Sequence, residues 1–185
     1  MGTDKAFLEI SGRSLLTNAL ELARSVTGEI KIVGNPAKFS AYGTVVQDLY
    51  RDRGPLGGIH AALKGSDTEL NLIIGVDLPL LDKRFLKRLL DIAEKCDSQV
   101  TVPSVNGHYE PLCGVYRRTF AVVADAALAA NRNKIDALFP EVSIRVISDD
   151  ELIACGFSSV MFRNVNTPED WKEAQEEFAA RGGRL

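Results

Sequence analysis

The sequence predicts an α/β fold in which helices cover the faces of a mostly parallel sheet. Short apolar runs alternate along the whole chain with amphipathic windows of helical period, which is the pattern of such folds. The composition agrees, because 185 residues that are 45% hydrophobic suffice for one sizeable core. The chain also has no repeat, low-complexity tract or linker. We therefore expect a single domain over residues 1–185.

The first half of the chain is expected to begin with a helix and continue with two short strands. Apolar residues at helical spacing start near Ser14 and run to Gly28, a typical stop signal. Residues 29–33 are predicted to form a strand that ends in a Gly-Asn-Pro turn, and residues 44–47 a second strand. A helix is expected over 57–64, entered through a glycine-rich turn.

The second half contains the most apolar strand. Residues 70–76, Leu-Asn-Leu-Ile-Ile-Gly-Val, predict a buried central strand, and Asp77 follows at once. Further strands are expected at 98–102, 112–116 and 143–147. Further helices are expected at 83–95, at 120–130 and from Pro168, where Thr167 would serve as the cap.

Composition excludes several classes of protein. The net charge is −3, from 22 basic and 25 acidic residues, and no basic stretch is long enough for nucleic-acid or membrane-surface binding. The 3 cysteines are far apart, which argues against a disulfide framework or a zinc site. With no signal-like run and no stretch of 18 apolar residues, we expect a soluble, cytoplasmic protein.

Asp77 is the sharpest candidate for chemistry. It follows the carboxyl end of the most apolar strand, where ligands bind in open α/β sheets. A carboxylate in that crevice suits Mg²⁺, which prefers one or two carboxylates together with substrate phosphates. The alternative from position alone is an aspartate that caps the turn before the next helix.

Three weaker candidates accompany Asp77. The segment Gly-Pro-Leu-Gly-Gly-Ile, which includes Gly57 and Gly58, would let backbone N–H groups approach a phosphate or a nucleobase, or be a tight turn. Lys5 would place a positive charge near phosphates, although by itself an ordinary solvated lysine is the simpler interpretation. Asp48 lies in a polar loop, where it either binds a base or ribose or is merely solvated.

Six motifs follow one another across essentially the whole chain. They are Met-Gly-Thr-Asp-Lys-Ala-Phe-Leu, Gly-Arg-Ser-Leu-Leu, Gly-Pro-Leu-Gly-Gly-Ile, Asp-Leu-Pro, Glu-Pro-Leu-Cys-Gly-Val-Tyr and Asn-Val-Asn-Thr-Pro-Glu-Asp. In this order they resemble the molybdenum cofactor guanylyltransferases. Each motif is weak alone, whereas their joint order is specific. The resemblance implies a Rossmann-like three-layer sandwich of the nucleotide-diphosphosugar-transferase type. It also implies that the phosphate of molybdopterin attacks the α-phosphorus of GTP and releases pyrophosphate.

The resemblance also implies roles for particular residues. Lys5 matches the lysine that contacts the nucleotide phosphates, and Asp77 matches the aspartate that binds the Mg²⁺ cofactor. The other matched positions are expected to bind nucleotide or acceptor: Asn35, Asp48, Gly57, Gly58, Asn164 and Asn166. For the last two, a backbone-bonded turn before a capped helix is an equally good interpretation. The implied partners are GTP, molybdopterin or its molybdenum form, and proteins that transiently deliver or receive the cofactor.

The sequence departs from the family pattern at its start. In the family a first strand ends in Leu-Ala-Gly-Gly-x-Ser-x-Arg, a loop that wraps the nucleotide phosphates, and this sequence begins at the methionine that follows. We therefore expect an N-terminally incomplete domain with exposed strand edges beside the missing strand. Three alternatives stay open: a related enzyme that uses CTP, one with another phosphorylated acceptor, and a nucleotide-binding protein that has lost catalysis.

Overall fold

The computed structural model describes residues 4–10, 12–50, 52–165 and 167–180. The strands within these residues are β1 (Glu9–Ile10), β2 (Arg13–Ser14), β3 (Lys31–Val33), β4 (Thr44–Val46), β5 (Leu70–Ile74), β6 (Val100–Val105), β7 (His108–Tyr109), β8 (Cys113–Arg117) and β9 (Ile144–Ile147). The α-helices are α1 (Leu15–Arg24), α2 (Pro36–Phe39), α3 (Gly54–Lys64), α4 (Lys83–Glu94), α5 (Phe120–Ala129), α6 (Asp149–Ala154) and α7 (Pro168–Ala180). Short 3₁₀ helices cover Lys5–Phe7, Asp136–Glu141 and Ser159–Phe162.

The largest sheet is mixed, which corrects the prediction of a mostly parallel sheet. Its strand order is β5-β8-β6-β7, and β9 pairs with β6. Strand β8 is antiparallel to both β5 and β6, whereas β9 is parallel to β6. The chain returns from β6 through the short strand β7 to β8, and this connection is too short for the crossover that a parallel neighbour requires. The coarser prediction of an α/β fold is confirmed.

Strand β5 lies at the end of this sheet, although its apolar sequence predicted a buried central strand. All five of its residues are only half-buried, and the strand ends at Ile74. Within the described residues β5 pairs with β8 alone. Strands β3 and β4 form a separate parallel pair, so β3 likewise has one neighbour there. Both strands therefore present an unpaired backbone edge in this part of the chain.

Helices cover both faces of the large sheet and make three layers. Alternate side chains of a strand point to opposite faces, and β5 follows this rule, with Leu72 in one apolar cluster and Ile73 in the other. The Leu72 side is covered by α1 and α4 through the buried residues Leu22, Phe85, Leu86 and Leu89. The Ile73 side is covered by α3 and α5 through the buried residues Leu56, Ile59, Leu63, Phe120 and Leu128.

Capping side chains define several helix starts that the sequence predicted. The hydroxyl of Ser14 accepts the N–H of Thr17 at 3.1 Å and caps α1. The hydroxyl of Thr167 accepts the N–H of Asp170 at 3.1 Å, which confirms the predicted start of α7. Each such cap satisfies an N–H that has no partner within its own helix. Among the described helices, none combines the length and apolarity that crossing a membrane requires.

Candidate functional site

Asp77 lies just beyond the carboxyl end of β5, as predicted, with its carboxylate close to the strand end. The side chain is half-buried. Gly75 makes room for it, because a Cβ atom at Gly75 would lie 2.7 Å from Asp77 Oδ1 and 3.2 Å from Leu112 Cβ. The N–H of Gly75 also donates to the carbonyl of Leu112 at 2.6 Å, which holds the backbone in place. Glycine within an apolar strand often marks such a close approach, so a sequence signal for Gly75 existed.

Glu110 interacts electrostatically with Asp77 and with Asp136, and neither Glu110 nor Asp136 was among the predicted site residues. Burial, and then the negative charges of Asp136 and Asp77, together raise the pKa of Glu110 to about 7. Asp136 is the first residue of its 3₁₀ helix. Carboxylates gathered in this way repel one another unless a proton or a cation is present. Glu110 belongs to a motif that carried the resemblance, whereas no pattern in the sequence marked Asp136.

These oxygen atoms suit a magnesium ion that is bound largely through substrate phosphates. Mg²⁺ takes hard oxygen ligands and usually keeps several waters besides one or two carboxylates. No three histidine, cysteine, aspartate or glutamate side chains in the described ranges form a group that could hold a metal by themselves. The half-buried carboxylate of Asp77, which interacts with the carboxyl group of Glu110, fits the role of a protein ligand to such an ion.

Asp48 lies after β4, with its carboxylate against the first turn of α3. Its Oδ1 atom is buried and has no hydrogen-bond partner among the described protein atoms. A Cβ atom on Gly57 would lie only 3.1 Å from this oxygen. Burial raises the pKa of Asp48, and the nearby His60 opposes the rise. Leaving a buried acceptor unsatisfied costs about 1–3 kcal/mol, so Asp48 Oδ1 suits a ligand that brings N–H donors.

The glycine-rich segment is the first part of a helix, not the turn before it. Helix α3 begins at Gly54, whose φ of 62° lies in the left-handed region that favours glycine. Pro55 occupies the first turn, where its missing N–H is not needed. Gly57 packs against the carboxylate of the preceding loop, and a Cβ on Gly58 would lie 3.8 Å from Val33 Cγ1. Gly57 thus has a packing role, whereas a Cβ on Gly58 would make only an ordinary van der Waals contact. The predicted contact of both glycines with a nucleotide stays a prediction.

Lys5 lies on a 3₁₀ turn that is joined to helix α2. The carboxylate of Asp4 caps this turn and also forms an ion pair with Lys38 of α2, with an O···N distance of 2.9 Å. The hydrogen bond from Lys38 lowers the pKa of Asp4. Phe7 stacks on Phe39 with ring centroids 5.9 Å apart, which adds an apolar contact between the same two elements. The predicted phosphate contact of Lys5 is untested by this geometry.

Asn35 caps helix α2. Its Oδ1 accepts the N–H of Ala37 at 2.9 Å, and an asparagine at this position is one of the favoured capping residues. The cap uses one acceptor position of Oδ1 and leaves the side-chain NH2 group available to donate to a nucleotide. That contact stays a prediction, as the sequence analysis gave it.

The closing Asn-x-Asn segment returns to the loop of Asp77. The N–H of the fully buried Val165 donates to the carbonyl oxygen of Asp77 at 3.0 Å. The exposed Asn164 immediately precedes Val165, so the chain brings it next to the Asp77 backbone. Asn166 lies outside the described residues. This long-range hydrogen bond holds the segment against the Asp77 backbone, and the predicted contact of Asn164 with the acceptor or metal stays a prediction.

One apolar cluster connects the elements that carry three of the predicted site residues, Lys5, Asn35 and Asp77. It includes Ala6 and Phe39, on the elements of Lys5 and Asn35, and also Val76, the residue before Asp77. Lys5, Asn35 and Asp77 therefore surround a shared core. Asp48 is attached separately, through the start of α3.

The sequence of the chain matches a known family and named relatives. Residues 1–146 match the family model described as the MobA-like NTP transferase domain. A molybdenum cofactor guanylyltransferase from Desulfosudis oleivorans is 33% identical over 187 residues, which cover 100% of this chain and 91% of the relative. A probable molybdenum cofactor guanylyltransferase from Carboxydothermus hydrogenoformans is 30% identical over 182 residues, which cover 98% of this chain and 91% of the relative.

Solved structures share the fold. Molybdopterin-guanine dinucleotide biosynthesis protein A from Archaeoglobus fulgidus superposes with a TM-score of 0.86 at 23% identity, over 97% of this chain and 92% of that one. A 2-C-methyl-D-erythritol 4-phosphate cytidylyltransferase from Thermus thermophilus superposes with a TM-score of 0.69 at 14% identity, over 95% of this chain and 94% of that one. At these identities the likeness concerns the fold.

Proposed function

The chain belongs to the MobA-like NTP transferase family, and we propose on this basis that it transfers GMP from GTP to the phosphate of molybdopterin. An oxygen of the molybdopterin phosphate bonds to the α-phosphorus of GTP, and the bond from that phosphorus to the bridging oxygen of pyrophosphate breaks. The attacking group is already an anion, so no protein nucleophile is required. Positioning and neutralisation of charge supply most of the catalysis.

The single observation that carries this proposal is the position of Asp77 beyond β5, beside Glu110. A negatively charged pocket of this kind suits phosphates only with a cation between them. We infer that Asp77 holds Mg²⁺, which when bound would neutralise charge on the phosphates. Lys5 would add a positive point charge to the same phosphates. The backbone of Asn164, tied to that of Asp77 through Val165, would place the asparagine beside the acceptor or the metal.

Asp48 favours GTP over CTP. Its buried Oδ1 is an acceptor without a donor. The Watson–Crick edge of guanine presents two adjacent N–H donors, whereas that of cytosine presents one donor beside an acceptor nitrogen. A carboxylate accepts hydrogen bonds only, so it pairs with guanine and repels the ring nitrogen of cytosine. The proposal therefore includes GTP as the nucleotide substrate. It keeps the cytoplasm as the place of action, as the sequence predicted.

The test is turnover with Mg²⁺ and molybdopterin, comparing GTP, CTP and ATP at equal concentrations. We expect the guanine dinucleotide and pyrophosphate to form in equal amounts, with CTP and ATP giving little product. Asp48→Asn offers a matched control, because its amide adds a donor toward the base and should reduce the preference for GTP. Preferred use of CTP by the unaltered protein would contradict the assignment of Asp48. Binding of GTP without turnover would favour a nucleotide-binding protein that has lost catalysis.

A further inference from the structure

A buried histidine lies between α3 and α5, close to the loop that carries Asp48. His60 is 1% exposed, and neither imidazole nitrogen makes an aligned hydrogen bond to the described protein atoms. Its Nε2 lies 3.3 Å from Oδ1 of Asp125 in α5, so the contact has the distance of an ion pair but not the direction of a hydrogen bond. Burial lowers the pKa of His60. An imidazole buried in this way costs free energy, and an apolar side chain would be the simpler occupant.

Tyr50 connects this histidine to the loop that carries Asp48. Its hydroxyl donates to Asp125 Oδ1 at 2.8 Å, the same oxygen that faces His60. Its ring meets the imidazole edge to face, with centroids 5.3 Å apart and planes at 69°. Such aromatic contacts contribute beyond simple burial. Tyr50 is thus attached to α3 by its ring and to α5 by its hydroxyl.

The segment from Asp48 to Tyr50 also rests on the backbone of α3. A Cβ atom at Gly57 would lie 3.1 Å from both Asp48 Oδ1 and the carbonyl oxygen of Tyr50. Both ends of the segment therefore pack against Gly57. The Tyr50 side chain is held in addition by its ring contact with His60 and by its hydrogen bond to Asp125. The charged groups that interact with His60 are Asp48 on the loop, Asp125 on α5 and Lys64 on α3 itself.

We propose that His60, Tyr50 and Asp125 form a clasp that positions the Asp48 carboxylate for the nucleobase. The three are positioning residues, since they act through Asp48 and do not touch the nucleotide. The inference rests on the proposed function in one respect, that Asp48 binds the base. If the contacts of the clasp are lost, the loop of Asp48 becomes more mobile. Ordering this loop then costs free energy when the nucleotide binds. The effect should therefore fall on nucleotide affinity and base preference, with the reaction at saturation unchanged.

The experiment uses the full chain and measures kcat and KM for GTP. Tyr50→Phe and His60→Leu are expected to raise KM for GTP by about tenfold while kcat changes by less than about twofold. Asp125→Asn keeps an acceptor oxygen for the Tyr50 hydroxyl and should stay near the unaltered KM. Asp125→Leu removes that acceptor and should match Tyr50→Phe. Comparing Asp125→Asn with Asp125→Leu therefore distinguishes loss of the hydrogen bond to Tyr50 from a general effect of altering α5.

A double-mutant cycle separates positioning from simple structural support. In an Asp48→Asn background, adding Tyr50→Phe should change KM by less than about twofold, because the atom that the clasp positions is already altered. Equal effects of Tyr50→Phe in both backgrounds, or a fall in kcat at constant KM, would overturn the proposal. If His60→Leu fails to fold by thermal unfolding, Tyr50→Phe and the Asp125 pair still decide the question.

Failure of the clasp and failure of the proposed function give different results. If the unaltered protein binds GTP without turnover, calorimetric Kd values replace KM in the same cycle, and only the proposed reaction fails. If it turns over GTP and the variants are additive, only the clasp fails. If it binds none of GTP, CTP and ATP, a clasp that serves the nucleobase is overturned as well.

Discussion

The free energy of unfolding should fall as the pH rises because Glu110 ionises, and the substitution Glu110→Gln should abolish this fall. Burial, and then the charges of Asp136 and Asp77, raise the pKa of Glu110 from 4.5 to about 7 in the folded chain. Between these two pH values the unfolded chain has released a proton that the folded chain still holds. Because the folded state binds more protons, the free energy of unfolding falls as the pH rises through this window and levels off above about pH 7.

The size of this effect follows from the shift. One unit of pKa is worth about 1.4 kcal/mol, so the full change corresponds to about 3 kcal/mol. Glu110 keeps part of its solvent contact, and screening by water reduces the expected value to about 1–2 kcal/mol. Glutamine has nearly the same size and does not ionise. Relative to the unaltered chain, Glu110→Gln should therefore gain about 1–2 kcal/mol between about pH 5 and about pH 8.

Urea unfolding of the unaltered chain and of Glu110→Gln at these two pH values provides the measurement. All other titrating groups are common to both proteins, so the difference between the two pH dependences reports Glu110 alone. Asp136→Asn removes one of the charges that raise this pKa, and it should reduce the pH dependence only in part. Identical pH dependences for the unaltered chain and Glu110→Gln would refute the reasoning, because Glu110 would then ionise equally well in both states.

Three further predictions concern the loop that carries Asp77 and the cap of helix α6. Asp77→Asn should unfold near the temperature of the unaltered chain but lower kcat by several orders of magnitude in steady-state assays; near-normal turnover would remove Asp77 from the metal role. Gly75→Ala places a methyl group 2.7 Å from Asp77 Oδ1, so it should displace that carboxylate and raise the Mg²⁺ concentration needed for half-maximal activity. Ser148→Ala removes the hydroxyl that caps α6 and should lower the free energy of unfolding by about 1 kcal/mol in urea, with KM for GTP unchanged.

The sequence predicted elements well where a periodic pattern and a terminal signal coincide. Helix α4 was expected over 83–95 and covers Lys83–Glu94, because its apolar stripe is strong and Asp82 caps its start. Thr167 and Pro168 likewise marked the start of α7. In these cases the local residues and the tertiary packing favour the same structure, so the pattern suffices.

Short elements were missed even when a signal was present. No strand was predicted between 102 and 112, although Asn106 and Gly107 have φ values of 51° and 77° and are the typical Asn-Gly pair of a hairpin turn between β6 and β7. Helix α6 was also missed, although Ser148 and Glu151 form a capping box at its start. Strands β1 and β2 have two residues each, too few for any alternation to show.

The candidate site was predictable only where chain position determines it. Asp77 comes shortly after the end of the apolar strand β5, so its place beyond the strand end could be inferred from local order. Glu110, Asp136 and His60 acquire their environments from residues far away in the sequence. Nothing in their neighbours along the chain reports a raised or lowered pKa. Residues with shifted pKa values of this kind can be identified only when the packing of the sheet and helices is known.

The two halves of the site lie on different sheets, and helices determine how they face each other. Asn35 and Asp48 follow the β3–β4 pair, whereas Asp77 follows β5, and the described residues show no hydrogen-bonded pairing between these sheets. Helix α1 bridges them on one side, with Leu16 in the cluster of β3 and Leu22 in the cluster of β5. Helix α3 bridges the two sheets on the other side, because it packs on β5 near Ile73 and its Gly58 lies near Val33 of β3. The position of Asn35 and Asp48 relative to Asp77 therefore depends on helix packing, which resists small displacements because protein interiors are closely packed.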